Sequence, residues 1–102
     1  MGKYVFLYTG GQMADTAEAQ QESMQAWGAW FGSLGSAVSD MGNQFGTSTT
    51  VAGSGVTSGG GSSLSGYTVV TADSLDDASS KAKGCPLLSD GGTVEVYEAL
   101  EM

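Results

Sequence analysis

The chain contains no histidine and no arginine. Without histidine, a Ser-His-Asp triad or a Cys-His pair cannot be assembled within one copy. A single cysteine, Cys85, leaves a His/Cys zinc site without ligands. It also excludes an internal disulfide, which fits a reducing cytoplasm. Three lysines against eleven acidic residues give a net charge of −8. Nucleic acid and anionic membrane surfaces need clustered cations, so neither is expected as a partner. No run approaches the ~18–20 apolar residues of a membrane span. The opening residues enter a strand directly rather than a signal peptide, and a cytoplasmic location is expected. No phosphate-binding motif stands at a strand-to-helix turn, and no metal, haem or nucleotide cofactor is expected. Acid–base chemistry would fall to carboxylates, tyrosines, lysines or Cys85.

What is present reads as strand, helix, strand, twice, within one domain spanning residues 1–102. Lys3 to Thr9 alternates Tyr4, Phe6 and Tyr8 with Val5 and Leu7. Both faces are apolar, as in a central strand covered on both sides. Asp15 or Thr16 can cap the helix that follows, with Glu18 near its positive end. Met24, Trp27, Phe31 and Leu34 recur at spacings of three and four, which predicts a helix over Ala17–Leu34 with one apolar stripe. Trp30 lies to one side of that stripe. Gly28 and Gly32 inside the helix each cost about 1 kcal/mol against alanine. Close approach to the sheet is the expected reason for them. A short strand follows over residues 37–41.

Residues 43–65 hold six glycines and ten serines or threonines. Val51 and Val56 flank Ala52-Gly-Ser-Gly55, which predicts a mobile hairpin there. Gly66–Thr71 is a β-rich run. Ser74 then opens a second helix with Asp77 three residues on, a short capping-box variant. Asp73, Asp76 and Asp77 suit its positive end, and Lys81 and Lys83 its last turn. Gly84-Cys-Pro86 stops it, and Thr93–Tyr97 is the last strand.

Two such units make an α+β fold of the ferredoxin-like βαββαβ class. It is a four-stranded antiparallel sheet with two helices on one face. The other face then carries apolar side chains, and a second copy is the simplest cover. A homodimer is expected.

The chain resembles the YCII-related (YciI-like, DGPF-type) proteins, small bacterial dimeric α/β-barrel proteins. The resemblance rests first on Lys3-Tyr-Val-Phe-Leu-Tyr8, and on Trp27-Gly-Ala-Trp-Phe31 followed by Gly35. Met41-Gly-Asn43, Thr49-Thr-Val51 and Leu64-Ser-Gly-Tyr67 continue it. Ser74-Leu-Asp-Asp-Ala78, Lys83-Gly-Cys-Pro86 and Gly92-Thr-Val-Glu-Val-Tyr97 complete it. It implies a ferredoxin-like protomer paired sheet to sheet, and no assigned activity. Some members carry a His–Asp pair proposed as catalytic; here the corresponding helix position falls near Gln25. An Asp-Gly-Pro-Phe signature of another branch is replaced by Ser58-Gly-Gly-Gly61.

Gly10-Gly11 and Gly59-Gly60-Gly61 read as turn and loop, Cys85 as a buried structural thiol, and the three aspartates as helix caps. The candidate ligand site is a pocket lined by Trp27, Trp30, Asp40 and Tyr67, with aromatic walls, one carboxylate and one phenol. Trp27 belongs to the core stripe in this reading and Trp30 to the pocket wall. Two functions compete. One is a dimeric domain that binds a small organic ligand or a protein partner. The alternative is a cofactor-free enzyme in which Asp40 is the base and Tyr8 or Tyr67 the donor.

Overall fold

The computed structural model describes residues 2–10, 16–58 and 64–100. Four strands form one antiparallel sheet: β1 (Gly2–Thr9), β2 (Val38–Asp40), β5 (Leu64–Ala72) and β6 (Thr93–Ala99), in the order β2-β5-β1-β6. Two further strands, β3 (Thr49–Ala52) and β4 (Gly55–Ser58), pair only with each other. The helices are α1 (Ala17–Leu34) and α2 (Leu75–Ala82). The β1-α1-β2 unit is split by β5, and the β5-α2-β6 unit is split by β1. Each unit therefore needs the other to complete its sheet. None of the described helices is long and apolar enough to cross a membrane.

Local chemistry accounts for the boundaries. The Thr16 side chain accepts a hydrogen bond from the Ala19 amide, and the Ser74 side chain accepts one from the Asp77 amide. These satisfy donors that the first helical turn leaves without partners. Asp77 also accepts from the Asp73 amide and pairs with Lys81 one turn later, at 3.0 Å. Both contacts hold the Asp77 carboxyl below its usual range, the Asp73 amide first. The alternative cap Asp15, along with Gly11 and Gly59–Gly61, lies outside the described residues.

Packing follows from a large-to-small match across the two central strands. Tyr4 stands opposite Val70, Phe6 opposite Thr68 and Tyr8 opposite Gly66. The aromatics of β1 occupy the space that the small residues of β5 leave. With Ala72, Ala78, Ala82, Cys85 and Trp30 they form the buried core. Trp27, Phe31, Leu34, Val94 and Val96 pack around it. Residues from both helices thus cover the same sheet face.

Three expectations about α1 are corrected. Trp30 is the buried tryptophan, 5 % exposed, and Trp27 is only partly covered. Met24, placed in the stripe, is 73 % exposed. Met24 and Trp30 lie about 60° to either side of Trp27 around the helix axis. Rotation toward Trp30 wins because its ring stacks on Phe6 and its indole N–H donates to the Lys81 carbonyl at 3.0 Å. Gly28 and Gly32 consequently face outward. A Cβ at either position meets no atom within 4 Å, so sheet contact does not explain them.

Gly42 is the opposite case. Its φ is +77°, and a Cβ there would sit 1.7 Å from the Tyr67 carbonyl oxygen. Gly28→Ala and Gly32→Ala should each raise stability by about 1 kcal/mol through helix propensity. Gly42→Ala should cost about 3 kcal/mol from backbone strain and the clash with β5. Thermal and urea melts of the three variants check both signs.

Candidate functional site

The four residues expected to share a pocket divide between the two faces of the sheet. Trp27 and Trp30 pack on the helix side, where Trp27 meets the edge of Tyr8 at 5.3 Å and Trp30 at 5.6 Å. Tyr67 follows Gly66 and precedes Thr68, both on the helix side and both buried. Strand alternation therefore sends Tyr67 to the opposite, open face, where it stacks on Phe45 at 5.7 Å. Asp40 is paired with Val69, two residues along β5 from Tyr67. Directly opposed residues share a face, so Asp40 and Tyr67 are diagonal neighbours along the β2–β5 edge. The Asp40 side chain is exposed, and its Oδ1 accepts the Gly42 amide at 2.9 Å.

Phe45 was not singled out from the sequence. It stands in a Gly- and Ser-rich segment without periodicity. Its place is set by the backbone: Phe45 N–H donates to the Ser65 carbonyl at 2.9 Å, and Tyr67 N–H donates to the Asn43 carbonyl at 3.2 Å. The start of the segment expected to be mobile is thus tied to β5.

The open face carries Val5, Leu7, Tyr67 and Val69, all only partly covered, and Tyr97, 54 % exposed. Lys3 and Thr71 lie on it toward one end, Thr9 and Thr93 toward the other, and Glu95 beside Leu7. A mixed aliphatic and aromatic surface with one carboxylate at its β2 edge suits a planar organic molecule or another apolar face.

The helix side offers different chemistry. Tyr8 Oη donates to Thr68 Oγ1 at 2.6 Å, and Thr68 Oγ1 donates to the Met41 carbonyl at 2.9 Å. The relay commits the phenolic proton to a fully buried threonine, and burial pushes the Tyr8 phenol up to about 12. Tyr8 is therefore poorly suited to donate a proton to a substrate near neutral pH. Cys85 is buried, and burial pushes its thiol up to about 11. Desolvation is the main cause, and a backbone hydrogen bond with Leu87 opposes it. Among the described residues no group of three or more His, Cys, Asp or Glu side chains is placed to hold a metal ion.

One cleft of about 460 Å³ lies where the C-terminal end of α1 meets the start of α2. Ser33, Ser36, Thr71, Asp73, Asp77 and Lys81 contribute its polar groups. Its lysine is already engaged by Asp77. The sequence points to this place only through the capping aspartates.

Two outcomes follow from this geometry. Trp30→Ala should cost about 3–5 kcal/mol, the range for a buried tryptophan, and Trp27→Ala distinctly less; urea unfolding measures the difference. Stability should also fall in alkali. The unfolded chain releases the Cys85 and Tyr8 protons at 9.0 and 10.0, the folded chain at about 11 and about 12. The folded state binds more protons across that window, so stability is full below pH 9.0 and declines as pH rises toward 12. Cys85→Ala should delay the onset of that decline, as read by melts over an alkaline pH series.

Compared with known proteins, the chain matches no family model, no curated protein and no solved structure, so the reading of the site stands on its own geometry.

Proposed function

We propose that the protein is a homodimeric binding domain of YCII-related character, with a ferredoxin-like protomer. Its two open sheet faces meet and hold a small organic molecule at their edge. The observation that carries this reading is the row of Val5, Leu7, Tyr67, Val69 and Tyr97 on a face that none of the described elements covers. Burying such a row contributes roughly 25 cal/mol for each Å² of apolar surface removed from water. The ligand site in this reading is Asp40, Phe45 and Tyr67. It is relocated from the helix side, because Trp27 and Trp30 serve the core. A stacked aromatic pair beside an exposed carboxylate favours a planar molecule that carries a hydrogen-bond donor or a positive charge. The acidic chain strengthens the preference for a cation. With Tyr8 held by Thr68, the enzymatic alternative retains only Asp40 with Tyr67, and no specific observation favours it.

Sedimentation at micromolar concentration should give twice the chain mass. Leu7→Glu should convert the dimer to a folded monomer, since it places a charge at the centre of the buried face. Two chains of charge −8 repel, so association should tighten from low to physiological salt. Organic extracts of the purified, denatured protein should contain a small molecule by mass spectrometry. Tyr67→Ala should lose it while still folding, as circular dichroism reads. A monomeric wild type, or equal retention by Tyr67→Ala, would overturn the corresponding half of the proposal.

A further inference from the structure

The four-stranded sheet ends in two unlike edges. β2 is three residues long, and its register with β5 shifts between Val38 and Asp40. Short length and irregular pairing are common ways of closing an edge to further strands. β6 has neither. It runs seven residues in unbroken antiparallel register with β1, without proline or lysine. All of them except Val94 and Val96 are exposed. About half of the N–H and C=O groups of an edge strand point away from its neighbour. Among the described residues no backbone hydrogen bond reaches the outer side of β6.

The side chains along this edge are acidic on both faces. Glu95 stands opposite Leu7 on the open face, and Glu98 opposite Tyr4 on the helix side. The Tyr97 phenol donates to Glu95 Oε2 at 3.1 Å, which holds that carboxylate at the rim. Burial first, then the carboxylates of Glu98, Asp77 and Asp73, push the Tyr4 phenol up, so acids gather beside the end of β6 on the helix side too. Of these, Asp77 is paired with Lys81. The one lysine of β1, Lys3, stands opposite Ala99, past both glutamates.

We infer that the outer edge of β6 binds an extended basic segment of another protein as an added antiparallel strand. Main-chain hydrogen bonds supply the affinity, and Glu95 and Glu98 choose the partner by charge. Two residues separate the glutamates, so their counterparts on an added strand are also three positions apart and lie on opposite faces. The two positions between them stand beside Val96 and Tyr97 and suit apolar side chains. The recognised pattern is therefore basic, apolar, apolar, basic. A second copy of this chain is a poor occupant, because it would bring the same two glutamates and another charge of −8 to the edge. The segment enters in the plane of the sheet rather than over its open face, so the site does not depend on the dimer reading.

The test uses the full chain and a fluorescein-labelled peptide, Gly-Thr-Lys-Val-Val-Lys-Val-Thr, read by fluorescence anisotropy at physiological salt. Saturable binding is expected. A peptide of the same composition with its two lysines adjacent should bind about tenfold more weakly or worse. Two further peptides carry N-methyl groups on one or the other alternating set of residues. One set should lose binding and the other keep it, because only one set of amides faces β6. The double variant Glu95→Lys, Glu98→Lys, shown to be folded by circular dichroism, should lose the basic peptide and bind the version with glutamate in place of both lysines. No saturable binding at millimolar peptide would overturn the inference. So would equal binding of the two N-methyl sets, which would mean that no strand is added, or of the rearranged peptide, which would mean attraction by net charge alone.

Discussion

The aromatic row Tyr4, Phe6, Tyr8 on β1 is the constraint on which the rest of the molecule depends. Being central, β1 cannot relieve its side chains at an edge. The large residues need small ones beside them and a large cover above. β5 supplies the small ones at Gly66, Thr68 and Val70. The cover comes from Trp27 and Trp30 of α1 and from Ala78 and Ala82 of α2. The same alternation that sends these aromatics toward the helices sends Val5 and Leu7 away from them. A two-layer fold built on a strand apolar on both sides necessarily leaves one apolar face. The open sheet face is therefore a consequence of how the core is made, not an independent feature.

Much of this architecture was legible because local signals agreed. Thr16 and Ser74 cap the helices as their types require, and α1 runs over the residues that the apolar spacing marks. Val51 and Val56 face each other across a short turn, as the alternation around Gly53-Ser54 suggests. The aromatic cluster was less legible. Periodicity locates a stripe to within a rotation of the helix. That rotation was decided by a bond from Trp30 to the Lys81 carbonyl, fifty-one residues away in sequence. The site failed to assemble for a similar reason. On β5 both residue sets, Tyr67-Val69-Thr71 and Thr68-Val70-Ala72, are compatible with burial. The choice fell to the smaller set only because the β1 aromatics had filled the space above it. No pattern within β5 itself carries that information.

Charge is unevenly distributed along the chain. The acidic residues are concentrated in the helices, around the α2 cap and in β6, while the stretch from β2 to the end of β5 is neutral after Asp40. Neutrality there is costly for a lone chain, because an uncharged, exposed hairpin invites adventitious pairing. It suits the dimer proposed above, in which two like-charged bodies must meet. Asp40 stands at the boundary of these regions, a diagonal neighbour of Tyr67 along the β2–β5 edge. In the proposed dimer the second copy partly desolvates this carboxylate, and electrostatic attraction to a ligand strengthens as water leaves. In the proposed dimer, ligand retention and association are thermodynamically linked: whatever binds between the sheets favours the dimer, and whatever weakens the dimer weakens the ligand.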